Sequence, residues 1–232
     1  MRVIIRCAGE GTRWGDYLGV PKHLARICGE PVLYRTVRLI GETVDADVKV
    51  VVRDLSDRRY LVAGSSRTKD KPTVGNGDLD KIASSRHLWD KDRTVLLWGD
   101  TWWTRAALTD VLTRPLDEWH LWLRYGPHDH GGELFAFAWP GSSNGVVDEA
   151  LDRALTAHSD GDLAHAGHNR RAVRGGWAFA RALSGLGWAD HGPYRNSTVV
   201  DDWTEDMDTP RDWNEWCLRW ATSPDEREEM RR

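Results

Sequence analysis

The chain has 232 residues, 40% of them hydrophobic, which is enough to bury a sizeable core in one large domain. Its 32 basic and 36 acidic residues leave a formal net charge of -4, so no chain-wide positive field would hold a polyanion, and nucleic acid is not an expected partner. No stretch approaches the roughly 20 apolar residues of a membrane span, and residues 1–5 run straight into a strand pattern where a signal peptide would carry a long apolar region. With Cys7, Cys28 and Cys217 widely spaced and no C-x-x-C pair, the expectation is a cytoplasmic protein with reduced thiols and no membrane partner.

Residues 3–6 read as a buried strand, ended by the glycine-rich run Ala8-Gly9-Glu10-Gly11-Thr12. Pro31 suits a first helical turn, and Val32, Leu33, Val37 and Ile40 follow at helical spacing. A strand over 48–52, a short helix over 55–63 and an amphipathic helix over 79–89 come next. The apolar run 94–98 stops abruptly at Gly99-Asp100. A short helix near 106–112 precedes two strands at 121–125 and 134–139, parted by a Gly-Pro and His turn segment. Helices are expected over 146–157 and 172–183, a late strand over 198–201, and a last helix over 209–220 that starts Thr-Pro. Residues 67–77 and 159–171 read as surface loops, and 223–232 as a charged tail that frays. Strands alternating with helices imply one α/β domain over 1–222, a three-layer α/β/α sandwich on a mixed, mostly parallel central sheet.

In such sheets ligands sit beyond the carboxyl ends of the strands, and three polar clusters fall there. They are Gly9-Glu10-Gly11-Thr12-Arg13, Asp100, and Asp206-Met207-Asp208. A glycine loop can bring backbone N–H groups against phosphate oxygens, although this one lacks the spacing of a P-loop or a dinucleotide fingerprint. Only six of the 32 basic residues are lysine, which makes Lys22 conspicuous.

The longer string from Ile4 through Gly9-Glu10-Gly11-Thr12-Arg13, then Pro21-Lys22-His23-Leu24, then Gly29-Glu30-Pro31-Val32-Leu33, resembles the opening of the nucleotidyltransferase superfamily. That group includes sugar-1-phosphate nucleotidyltransferases and cytidylyl- and guanylyltransferases. Val95-Leu96-Leu97-Trp98-Gly99-Asp100 looks like the family strand ending in a metal-binding aspartate, and Asp206-Met207-Asp208-Thr209-Pro210 like its aspartate-threonine-proline segment. Arg6, Cys7 and Trp14 depart from the family pattern, standing where an apolar residue, an alanine and a smaller side chain are usual.

The resemblance implies a GT-A-type, nucleotide-diphospho-sugar transferase-like fold. It also implies an Mg2+-dependent enzyme that passes a nucleoside monophosphate from an NTP to a small phosphorylated acceptor, such as a sugar 1-phosphate. Ala8, Gly9, Glu10, Gly11, Thr12, Arg13 and Lys22 would then bind the nucleotide, with Asn76 and Gly77, just ahead of Asp78 and a helix, near the base or ribose. Arg13 would fork onto the leaving phosphates, and Lys22 would set a point charge at the α-phosphate. Asp100 and Asp208 would hold Mg2+, a hard cation suited to carboxylate and phosphate oxygens, with Asp206 the next candidate ligand; Asp201 and Asp202 are further candidates that read first as surface carboxylates.

Plainer readings stand beside these. Asn76 and Gly77 also suit a helix N-cap. Trp102 and Trp103 are either an acceptor platform or core. His128, His130, His158, His165 and His168 fit no familiar zinc spacing and read as solvated loops. Arg170, Arg171 and Arg174 are either an acceptor-phosphate patch or a basic face. A GT-A-type glycosyltransferase with a nucleotide-sugar donor and a noncatalytic nucleotide-binding protein are the alternative functions, and the oligomeric state is open.

Overall fold

Three consecutive residues with no exposed surface, Val3, Ile4 and Ile5, make β1 (Arg2–Arg6) a strand buried on both faces. The computed structural model describes residues 1–9, 11–70, 78–125, 132–167, 172–190 and 192–222. The expected charged tail 223–232 therefore lies outside the described residues. The chain forms two compact units. One comprises Met1–Arg2, Asp70–Val95 and Pro115–Val199, and the other Val3–Lys69, Leu96–Arg114 and the chain from Val200 onward.

In chain order, β1 leads to a hairpin of β2 (Arg26–Ile27) and β3 (Glu30–Pro31), then α1 (Val32–Thr43), β4 (Asp47–Val52) and β5 (Ser66–Lys69). Next come α2 (Asp78–Ser84), β6 (Arg93–Trp98), β7 (Thr101–Trp102), α3 (Arg105–Thr113), β8 (His120–Arg124) and β9 (Glu133–Pro140). The chain closes with α4 (Asn144–Ser159), α5 (Gly175–Ser184), β10 (Ser197–Val199), β11 (Glu205–Asp206) and α6 (Pro210–Thr222). Seven strands make one mixed, mostly parallel sheet in the order β10-β8-β9-β6-β1-β4-β5, which gives the α/β architecture expected from the alternating pattern. β4 with β5 and β10 with β8 are parallel pairs, whereas β8 and β9 are antiparallel with a bulge at Trp122/Leu123.

The unit from Val3 is organised by α1. Its Val32, Leu33, Val37, Leu39 and Ile40 are buried at the recurrence an amphipathic helix requires. In the other unit, the buried residues of α4 (Val147, Leu151, Ala154) and of α5 (Ala178, Phe179, Ala182) form facing apolar stripes, and Phe137 of β9 meets Phe179 with ring centroids 4.8 Å apart.

The helix expected over 79–89 ends at Ser84, with a 3-10 turn at Arg86–Leu88, and other readings change too. The helix over 55–63 is only a single 3-10 turn, Arg58–Tyr60, because Asp54 and Asp57 accept the backbone N–H groups of Ser56 and Arg59 and so compete with helical pairing. The loop expected from residue 67 is partly β5, an edge strand whose Ser-Arg-Thr-Lys composition hides it from apolar periodicity; charge on an edge discourages pairing with another chain. Finally, β2 and β3 form an antiparallel pair whose turn, Cys28-Gly29, has positive φ at both residues.

Candidate functional site

All of the site's described residues belong to the unit that begins at Val3. β1 ends at Arg6, and the next residue hands its N–H to the neighbouring strand, Cys7 N donating to Val51 O at 2.9 Å. Gly99 N donates to Arg6 O at 3.0 Å. A Cβ at Gly99 would run into Cys7 Sγ and sit 2.9 Å from Arg6 O, so only glycine lets the end of β6 close on the end of β1. Asp100, the next residue, is thereby placed beside the root of the N-terminal loop.

That loop is shaped by its own residues. Gly11 adopts φ of 63°, and Trp14 N and Gly15 N both donate to Gly11 O, at 2.9 and 3.0 Å. Trp14 is 2% exposed, and its Nε1–H donates to Tyr17 O at 2.9 Å and Val20 O at 2.7 Å. The departure at position 14 thus gives the loop a core of its own. Ala8 is buried at the loop's start, while Gly9, Thr12 and Arg13 are exposed along it. Glu10, Asn76 and Gly77, expected to bind nucleotide, lie outside the described residues, as do His128, His130, His168, Arg170 and Arg171.

Pro21 leads into a 3-10 turn, Lys22–Leu24, which separates two neighbours by environment. His23 points into the protein and bonds Tyr60 through Nε2; burial lowers its pKa to about 4, so the ring is neutral. Lys22 points to the carboxylates. Its Nζ donates to Asp208 Oδ1 at 2.7 Å and is paired with Asp100 Oδ2 as well. Burial works to lower the Lys22 pKa, but Asp100, Asp206 and Asp208 outweigh it and raise it above the ordinary lysine value. Arg13 Nη1 is paired with Asp208 Oδ2. Burial tends to raise the Asp208 pKa, and the charges of Lys22 and Arg13 hold it below the usual carboxylate range instead.

The C-terminal partners arrive on a ladder that periodicity cannot reveal, because each strand is two residues long. β11 pairs antiparallel with β7, Glu205 opposite Trp102 and Asp206 opposite Thr101, and Met207 N donates to Asp100 O at 3.2 Å. Asp100, Asp206 and Asp208 consequently each offer a carboxylate oxygen, all within 4.8 Å of one another. Three hard oxygen donors at that separation fit a divalent cation such as Mg2+, and among the described residues this is the one such cluster of His, Cys, Asp or Glu.

The structure thus brings Arg13, Lys22, Asp100 and Asp208 together, with Asp206 beside them. It does not bring Asp201, which is exposed, or Asp202, which bonds Thr104 and Thr204. Trp102 and Trp103 are core residues, 3% and 0% exposed, and not an acceptor platform. Trp102 packs with Ile27, Val32, Met207 and Trp216 under the carboxylate ladder, and the Arg35 guanidinium stacks 4.1 Å from its ring. His158 and His165 are exposed, and Arg174 is the exposed residue ahead of α5. Among the described residues no helix is long and apolar enough to cross a membrane.

No protein-family model matches the sequence. Over 105 residues, 43% of this chain and 20% of the relative, it is 33% identical to a bifunctional IPC transferase and DIPP synthase of Archaeoglobus fulgidus. The match therefore spans about a fifth of that relative's length. Similar solved structures include a protein from Bacillus anthracis assigned as a glucose-1-phosphate thymidylyltransferase, with TM-score 0.65, 14% identity and 94% of each chain covered. A CTP:phosphocholine cytidylyltransferase from Streptococcus pneumoniae aligns with TM-score 0.62 and 12% identity, covering 94% of this chain and 97% of that one. The inositol-1-phosphate CTP transferase of T. maritima aligns with TM-score 0.56 and 15% identity, covering 96% of each. The chain shares the fold of these solved structures.

Proposed function

We propose that this chain is a nucleotidyltransferase that moves a nucleoside monophosphate from an NTP to a small phosphorylated acceptor, releasing diphosphate, with Mg2+ as its cation. The observation that carries the reading is the convergence of Arg13 and Lys22 with three aspartates from distant segments on one small volume. That is the charge pattern a polyphosphate and its counter-cation require. The three similar solved structures support the acceptor class, since glucose 1-phosphate, phosphocholine and inositol 1-phosphate, the compounds in their names, are all phosphomonoesters.

A cation held by Asp100, Asp206 and Asp208 would neutralise polyphosphate charge. Arg13, whose side chain is 56% exposed, is free to turn from Asp208 onto the β- and γ-phosphates, two of whose oxygens suit its fork. Lys22 carries three donors and can keep one carboxylate contact while donating another N–H to an α-phosphate oxygen, where charge grows in the transition state. The backbone turn at Gly11 to Gly15 lines the phosphates. An oxygen of the acceptor phosphate attacks the α-phosphorus. As that P–O bond forms, the bond to the bridging oxygen breaks, and diphosphate leaves with the electron pair. A phosphate dianion attacks without losing a proton, so His23, neutral and bonded to Tyr60, is not needed as a base. The reading places the enzyme in the cytoplasm, where its thiols stay reduced.

Each NTP, combined with Mg2+ and a panel of phosphomonoesters, should reveal one pair that releases diphosphate. No release from any pair, together with no thermal shift on adding any NTP, would overturn the proposal. Stabilisation by a nucleotide sugar but not by NTP would favour the glycosyltransferase alternative.

A further inference from the structure

Asp202 stands six residues ahead of Asp208, yet its carboxylate is spent elsewhere. Oδ2 accepts from Thr104 Oγ1, and Oδ1 accepts from Thr204 N at 2.8 Å. Thr104 N in turn donates to Thr204 Oγ1 at 3.1 Å, and the two hydroxyl oxygens lie 3.3 Å apart. Thr104 Oγ1 also accepts from Ala107 N at 3.1 Å, which makes it the N-cap of α3. Thr104 and Thr204 are 3% and 0% exposed, so the bonds between them and to Ala107 N form away from water, where an unmet partner is costly, while the two bonds to Asp202 are partly covered.

This clasp closes one end of the β7–β11 ladder. At the other end Met207 N meets Asp100 O, and the carboxylates of Asp100, Asp206 and Asp208 gather. Two residues of pairing hold a register poorly alone, and a slip of one residue would turn Asp206 to the opposite face. We propose that Thr104, Asp202 and Thr204 are positioning residues, a hydrogen-bonded clasp that fixes the ladder's register and so sets the three carboxylates at the spacing a divalent cation needs. The inference rests on the reading of those carboxylates as a cation site. The clasp acts through backbone placement and touches neither cation nor substrate.

The test is an Mn2+ titration of the full chain followed by electron paramagnetic resonance, with turnover and the thermal midpoint measured alongside. Thr204→Val, close in shape but without the hydroxyl, and Asp202→Ala should each weaken Mn2+ binding about ten-fold, the effect expected when a group that orients metal ligands is lost. kcat should fall with little change in KM for the NTP, and Thr204→Ser should restore both affinity and rate. If Thr204→Val does not fold, the half-exposed Asp202→Ala decides. Wild-type Mn2+ affinity in Asp202→Ala or Thr204→Val, even with a lowered thermal midpoint, overturns the clasp and leaves a structural staple. A wild-type chain that binds no Mn2+ and releases no diphosphate removes the functional reading itself, and the clasp's role with it. Binding by the wild type but unchanged variants removes the clasp alone.

Discussion

The two segments that supply most of the site's charge are built in opposite ways. Residues 11–20, which carry Arg13, are folded by their own neighbours: Gly11 turns the chain, and the Trp14 indole bonds carbonyls three and six residues on. The segment 202–208, which carries Asp206 and Asp208, has within itself the Asp202 bond to Thr204 N and a bond from Asp206 N to Glu205, and no buried aromatic core like that of Trp14. The rest of its shape comes from Asp100, Thr101, Trp102 and Thr104, about a hundred residues earlier in the chain. The first should behave as a self-contained turn that brings donors; the second should fail whenever its distant partners are altered.

The largest effect follows from emptying the loop's core. Trp14→Ala should cost about 3–5 kcal/mol, the range for removing a large buried aromatic, as read from denaturant midpoints. Trp14→Phe keeps most of the packing and loses the two indole bonds, and should cost about 1–2 kcal/mol. Equal losses for both would mean that the hydrogen bonds, not the packing, hold the loop.

Asp100→Asn strikes the distant partner where its side chain faces Lys22 and its backbone holds Met207. The backbone bond survives the substitution, so the ladder and the thermal midpoint should persist while diphosphate release falls at least about a hundred-fold, roughly 2.7 kcal/mol in the barrier. A variant with wild-type rate would remove Asp100 from the chemistry. A variant that unfolds would show that the carboxylate, and not the backbone pairing, sets the segment.

His23 gives a smaller effect, tied to pH. Its pKa falls from 6.5 to about 4 on folding, so between those values the unfolded chain binds a proton that the folded chain does not. Stability therefore rises with pH across that window and is lost on acidification from about pH 6.5 downward. By pH 5 the loss should be on the order of 2 kcal/mol. His23→Gln should flatten this dependence in denaturation curves taken at pH 4.5 to 7. An unchanged slope would assign the acid sensitivity to other groups.

These expectations bear on what could be read from the sequence. The short apolar runs 3–5 and 95–98 and the helical recurrence after Pro31 mark β1, β6 and α1, since burial on regular elements leaves a trace in composition and period. Arg13, Asp100 and Asp208 could be named as candidates because charge after a buried strand, or within a glycine loop, is conspicuous, and Lys22 because lysine is scarce and the Pro21-Lys22 pair resembles the family opening. Their meeting is what the family resemblance implies, since it sets all four around one nucleotide and its cation; the ladder that brings it about could not be read, because β7 and β11 are two residues each and the pairing lies in register, not in composition. Nor could the separation of Asp202 from Asp206 and Asp208: three similar side chains within seven residues differ only in which distant group each meets. Trp14 looked like a departure, and only its two carbonyl partners explain its place.

Lys22 joins the two regions, and substituting it probes their balance most gently. Its side chain is 16% exposed, and its ammonium sits between Asp100 and Asp208 as a counter-charge where a divalent cation would bind. At the dielectric typical of such sites neighbouring unit charges interact by a few kcal/mol, much of which is recovered if the lysine can swing away. Lys22→Met should therefore tighten Mn2+ binding by about ten-fold in the absence of nucleotide, while turnover declines because the donor proposed for the α-phosphate is lost. Weaker Mn2+ binding in the variant would reverse the assignment: the lysine would be what gathers the carboxylates, and the C-terminal segment would depend on the N-terminal one as much as on its own ladder.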